Sequence, residues 1–177
     1  MKVINFFLYP IVTCFLKYKL YRFLYKQNKS QKILVLDIDN TIADTWPNLA
    51  LYKKDRRSFY LNLPLLKNSI NYIKSKYSKL PIIFLSNRNF INYNLTHKWL
   101  IKNNFDTKEF ILILTQKPDD KISFLNIILN SFSVIYFDDL SYNHENGKVL
   151  FYNDVIKKVR KLDLIYYDYN FIKKINE

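Results

Sequence analysis

Beyond residue 31 the chain alternates between short, continuous apolar runs and longer stretches whose apolar side chains recur every three to four positions. A continuous run reads as a strand covered on both faces, the signature of a parallel sheet. The first run, Ile33-Leu34-Val35-Leu36, ends in Asp37. Leu66, Ile70, Ile73 and Tyr77 then fall at helical spacing, and Pro81 stops that helix before a second run, Ile82-Ile83-Phe84-Leu85, which ends in Ser86. Asn89 can cap a helix through about Lys102, Phe110 to Leu114 predicts a third strand, and Asp119 or Asp120 can cap a helix reaching Leu129. Val134 to Phe137 predicts a fourth strand, ending in Asp138-Asp139, and Leu164 to Tyr167 one more. The pattern specifies an α/β fold, a parallel sheet with helices on both faces, and ligands of such sheets sit outside the carboxyl ends of the strands. Asp37, Ser86 and Asp138 all lie at such ends.

Residues 1–30 break this rhythm and read as an apolar and basic appendage to a domain spanning 31–177. A run from Val3 to Leu16 is followed by Lys17, Lys19, Arg22 and Lys26 threaded between Leu and Tyr. The uninterrupted apolar stretch falls short of the roughly 20 residues a spanning helix needs. No small-residue cleavage site follows it, which argues against a secretory signal. Two readings remain: an interfacial anchor on an anionic membrane, with Phe6, Phe7, Leu8 and Phe15 inserted, or a helix packed on the domain. Pro10 interrupts the helical pattern in either case.

Composition narrows the chemistry. With 177 residues, 49% of them hydrophobic, the chain can bury one sizeable core. The lone Cys14 excludes an internal disulfide, and two histidines without a cysteine cluster disfavour zinc, so a cytoplasmic setting is expected. Gly147 is the sole glycine, which rules out both glycine-rich nucleotide-binding loops. A formal net charge of +13 favours anionic partners: a membrane, a nucleic acid or a phosphorylated substrate.

The segment Asp37-Ile38-Asp39-Asn40-Thr41 sets two carboxylates two residues apart after a buried strand, so extended geometry would project both to one face. One can attack phosphorus while the other moves a proton, provided a cation offsets their mutual repulsion. Mg²⁺ suits oxygen ligands and phosphate.

Asp37-x-Asp39-x-Thr41 after an apolar strand resembles the first signature of the haloacid dehalogenase superfamily, and the remaining signatures follow in order. Ser86 resembles the second, a hydroxyl that holds the transferring phosphoryl group. Lys121 or Lys117 can supply the third, a lysine near a helix start, and Asp120-Lys121 resembles the arrangement in polynucleotide 3′-phosphatases, favouring Lys121. Asp138-Asp139 resembles the fourth, an acidic pair that holds Mg²⁺. The resemblance covers Ile33 to about Leu140. It implies a Rossmann-like three-layer α/β/α sandwich and a phosphatase in which Asp37 is the nucleophile and Asp39 the acid and base. It further implies Mg²⁺ held among Asp37, Asp39, Asp138 and Asp139, with Thr41, Asn87 and Arg88 beside the substrate. Arg88 could clamp a second phosphate, as in the Ser-x-Arg of related nucleotide and polynucleotide phosphatases. Trp46 reads as core; His97, Trp99 and His144 receive no chemistry.

About forty residues separate Thr41 from Ile82, too few for a large cap, so bulky substrates are expected: a nucleotide, a polynucleotide end, a phosphosugar on a lipid carrier or a phosphoprotein. The competing readings are a non-catalytic scaffold of the same fold, anchored by residues 1–30, and a nucleic-acid-binding protein without chemistry. Clustered carboxylates argue against the first, and no recognition motif supports the second.

Overall fold

A computed structural model describes residues 2–105, 110–144 and 147–177, with side chains except at residues 2–8 and Lys53. The apolar runs form the strands β1 (Ile33–Leu36), β2 (Ile82–Ser86), β3 (Phe110–Leu114), β4 (Val134–Phe137) and β7 (Leu164–Tyr167). They make one parallel sheet in the order β3-β2-β1-β4-β7. The chain therefore builds outward from β1 on one side, then crosses to β4 on the other. That reversal opens a crevice at the carboxyl ends of β1, β2 and β4, where such folds bind ligands.

Alternate strand residues enter opposite cores, as the two-residue period requires. Leu34, Leu36, Phe84, Leu112 and Phe137 face a core closed by α3 (Arg56–Asn62), α4 (Lys67–Tyr77) and α5 (Tyr93–Lys102), through Phe59, Ile70, Ile73 and the fully buried Trp99. The helix α8 (Tyr169–Asn176) lies against α4. On the other face, Ile33, Val35, Ile83, Leu85 and Tyr136 meet α6 (Asp120–Leu129) and α7 (Asn153–Val159). Leu16, Leu20 and Leu24 join that core from α1 (Lys2–Tyr25), one four-residue step apart on a single helix face. Pro10 is accommodated inside α1 at the loss of one ladder hydrogen bond. The side chains of Phe6, Phe7 and Leu8 lie outside the description. No helix among the described residues is long and apolar enough to cross a membrane.

The segment between Thr41 and β2 folds as a 3₁₀ turn (Trp46–Asn48), α2 (Leu49–Lys54), α3 and α4. Here the structure corrects one expectation: Trp46 is not core but 37% exposed, its ring 5.8 Å from that of His144. A two-stranded antiparallel pair, β5 (Ser141–Tyr142) with β6 (Leu150–Phe151), follows the acidic pair and was not legible in the sequence, being only two residues per strand.

Candidate active site

Asp37 follows β1 directly and is held there by its own N–H, which donates to the Phe137 carbonyl at 2.9 Å. Its carboxylate is 4% exposed. Lys121, in the first turn of α6, points its ammonium into the crevice and donates to Asp37 Oδ1 at 2.9 Å and to Asp138 Oδ2 at 2.6 Å. Of the two lysines weighed from sequence, Lys121 reaches the carboxylates. Lys117 is exposed, with its backbone N–H on the Asp120 side chain.

Asp138 and Asp139 follow β4. Asp138 also accepts from the Leu140 N–H at 2.9 Å and from the Tyr136 hydroxyl, so each of its oxygens has a fixed partner. Leu140 adopts a left-handed φ of 43°, costly for a branched side chain, and it is this turn that folds its N–H back onto Asp138. Asp139 receives the Ser141 hydroxyl, which in turn lies 2.6 Å from His144 Nε2. One carboxylate oxygen each from Asp37, Asp138 and Asp139 falls within 4.8 Å of the others.

Three buried carboxylates against one ammonium leave an excess of negative charge, and the titration behaviour reflects it. Burial, reinforced by Asp138 and Asp39, pushes the Asp37 carboxyl up to about 7 despite Lys121. Burial, with Asp138 and Asp37, pushes Asp139 well above the usual carboxylate range. Burial opposes the charge of Lys121, but Asp138 and Asp37 outweigh it and hold the ammonium above its ordinary value. An all-oxygen donor set with unbalanced negative charge fits a hard divalent cation.

Asp39 behaves differently. Arg88 grips it with two bonds, Nε to Oδ2 at 2.7 Å and Nη2 to Oδ1 at 2.6 Å, while the Thr45 hydroxyl adds a third at 2.6 Å. Burial opposes ionisation, but the guanidinium prevails and holds the Asp39 carboxyl below its usual range. Asp39 remains 29% exposed and lines the same cleft as Asp37. Its carboxylate is not among the three that converge.

Ser86 ends β2 fully buried, and its Oγ, on the wall of the cleft, finds no hydrogen-bond partner among the described residues. An unmade bond of that kind costs about 1–3 kcal/mol, which an incoming oxyanion would recover. Asn87 is exposed on the cleft rim and, in the amide orientation that suits its surroundings, donates to the Thr115 and Gln116 carbonyls at 3.1 Å each. Thr41 and Arg88, expected beside the substrate, are buried and are not among the described residues that line the cleft. Thr41 is buried with its hydroxyl accepting from the Asp139 N–H at 3.3 Å. Arg88 is 3% exposed, its Nη1 donates to Thr96 at 3.2 Å, and its guanidinium lies 4.9 Å from the Tyr60 ring. Tyr136 and Ser141 are additions that no sequence signal singled out.

No protein-family model and no curated protein matches the chain in sequence. Among solved structures it is similar to the class C acid phosphatase from Bacillus anthracis with tungstate bound, with a TM-score of 0.50 and 18% identity over 91% of this chain and 78% of that one. A second structure of the class C acid phosphatase from Bacillus anthracis scores 0.48 at 19% identity, over 97% of this chain and 78% of that one. The likeness shows the fold alone, a parallel α/β sandwich.

Proposed function

We propose that this α/β domain is a Mg²⁺-dependent phosphatase that hydrolyses a phosphate monoester through an aspartyl-phosphate on Asp37. One observation carries the reading. Asp37, Lys121 and the unpartnered Ser86 hydroxyl converge on one cleft together with Asp138 and Asp139, at the carboxyl ends of β1, β2 and β4. A nucleophile, a fixed cation, a free donor for a non-bridging oxygen and a carboxylate cage for a metal are the parts that phosphoryl transfer needs. One solved structure with this fold is of an acid phosphatase with tungstate, a tetrahedral oxyanion, bound.

Asp37, Asp138 and Asp139 would hold the Mg²⁺, which when bound supplies positive charge to the phosphoryl oxygens. Asp37 attacks phosphorus, and the bond to the ester oxygen breaks as the bond to the carboxylate forms. Lys121 Nζ and Ser86 Oγ hold the equatorial oxygens. Held as a carboxylate by Arg88 and Thr45, Asp39 is in the form that takes a proton from the water hydrolysing the aspartyl-phosphate. Protonating the ester oxygen in the first step calls for Asp39 to rotate off Arg88 and take up a proton from solvent, which it passes to the leaving oxygen, returning to the carboxylate that then deprotonates the water. The short helices between Thr41 and β2 do not form a separate folded cap, which supports a bulky, anionic substrate such as a nucleotide, polynucleotide end, phosphosugar or phosphoprotein.

The test is hydrolysis of p-nitrophenyl phosphate by the full chain with Mg²⁺ and with excess chelator. Turnover that chelator abolishes and Mg²⁺ restores supports the reading; absence of turnover on this ester and on a panel of nucleotide and sugar phosphates overturns it.

A further inference from the structure

The inward face of α1 is spoken for, because Leu16, Leu20 and Leu24 are 5%, 0% and 7% exposed in the sheet core. Its outward face is not. Ile11, Phe15, Tyr18, Arg22 and Tyr25 follow one another at steps of four, three, four and three, which places them on a single stripe opposite the leucines. The four apolar or aromatic members are 66%, 57%, 57% and 92% exposed, and Tyr21 beside them is 56% exposed. The stripe grades along the helix: Ile11, Cys14 and Phe15 carry no charge, whereas Arg22, Lys26 and Lys29 cluster at and beyond its carboxyl end, all exposed. The first 36 residues contain no acidic side chain.

We infer that the outward stripe of α1 is a docking surface for an anionic phospholipid bilayer, on which the protein lies peripherally with its leucine face still packed in the core. Charge complementarity selects the occupant. A second copy of a chain carrying +13 is repelled, while an anionic headgroup layer attracts Arg22, Lys26 and Lys29. Ile11 and Phe15 offer a nucleic acid neither a hydrogen bond nor a charge, but fit the acyl boundary below the headgroups, and the tyrosines suit the interface itself. The docked leucines limit penetration to one side of the helix.

Sedimentation of the full chain with vesicles decides it, comparing pure phosphatidylcholine with a phosphatidylcholine–phosphatidylglycerol mixture at low and high salt. Binding is expected on the anionic vesicles, at least tenfold stronger than on neutral ones, and falling steeply with salt. Each basic residue near such a surface is worth about fivefold, so Arg22→Ala with Lys26→Ala and Lys29→Ala should weaken binding roughly 100-fold. Phe15→Ser with Tyr18→Ser should weaken it without altering the salt dependence. Melting followed by circular dichroism confirms that each variant keeps its fold, and Tyr25→Ser with Lys29→Ala, outside the docked stretch, replaces any that does not. Equal affinity for neutral and anionic vesicles, undiminished binding in both variants, or binding to duplex DNA in place of vesicles overturns the inference.

Discussion

Removing Arg88 probes the feature that most distinguishes this site, the bidentate hold on Asp39. Arg88→Met keeps the length and the apolar contact with Tyr60 but deletes both charge-assisted bonds, at 2.6 and 2.7 Å, and the bond to Thr96. Breaking one partner of a buried pair costs about 3–5 kcal/mol. Asp39 is 29% exposed and can recover some hydration, so the lower end applies, about 3 kcal/mol. For a chain of this size that lowers Tm by about 6–12 °C. The sign of the pH dependence follows from the lowered Asp39 carboxyl. A depressed acid stabilises fully above its unfolded value of about 3.9 and loses that contribution as pH falls through its folded value. The wild type and Arg88→Met should therefore differ most at neutral pH and converge below about pH 4. Adding Asp39→Asn to Arg88→Met removes the stranded charge while leaving an oxygen for Thr45, and should recover at least half of the loss. Urea denaturation of the three proteins at pH 7 and pH 3.5 measures all of this. A loss below about 1 kcal/mol, the value of an ordinary surface pair, or no recovery in the double variant, would refute the argument.

Three further outcomes rest on the same geometry. Lys121→Met strips the ammonium from between Asp37 and Asp138, so in chelator it should lose about 3–5 kcal/mol by denaturation and regain part of it with Mg²⁺; equal stability with and without Mg²⁺ would contradict the charge balance described. Because the Asp37 carboxyl is raised to about 7, the metal-free fold binds more protons than the unfolded chain between about pH 4 and 7, and stability falls as pH rises through that window. Mg²⁺ at 100 times its Kd adds about 2.7 kcal/mol, hence about 5–11 °C in Tm, and the gain measured by scanning calorimetry should be larger at pH 8 than at pH 5; a gain independent of pH would count against these carboxylates as the binding site. Leu20→Ala, at a fully buried position of α1, should cost about 2–5 kcal/mol in urea denaturation, whereas a cost near zero would mean that α1 is not part of the core in solution.

The strands were legible because each is a continuous apolar run with a polar terminus. Phe110–Leu114, Val134–Phe137 and Leu164–Tyr167 coincide with the runs read from the sequence, and β2 extends its run by Ser86 alone. Helix starts were less so. Asn89 does cap, but its side chain accepts from the Ile91 N–H of a 3₁₀ turn (Phe90–Asn92), and α5 begins only at Tyr93. Asp120, weighed as a cap for α6, instead receives the Tyr9 hydroxyl and the Lys117 N–H. Asp37, Ser86, Lys121 and Asp138 could be located because their positions are set by strand ends and a helix start. The partners of Arg88 and Thr41 could not, since they depend on which loops meet across the sheet. Residues two apart after a strand were expected to share a face, and Asp37 and Asp39 do line one cleft, but the bidentate hold of Arg88 on Asp39 was not foreseeable, and the Asp39 carboxylate is not among the three that converge. The outward stripe of α1 was hidden for a related reason: aromatics line both the buried and the exposed sides of that segment, so periodicity alone did not separate them.

The central claim is that Asp37 carries the phosphoryl group. Mixing the full chain with a phosphate monoester and Mg²⁺, quenching in acid within the first turnovers and sequencing the phosphorylated peptide by mass spectrometry tests it directly. The phosphoryl group is expected on Asp37 and absent in Asp37→Asn, with loss of turnover in that folded variant. A phosphoryl group on another residue, or Asp37→Asn turning over near the wild-type rate, would contradict it.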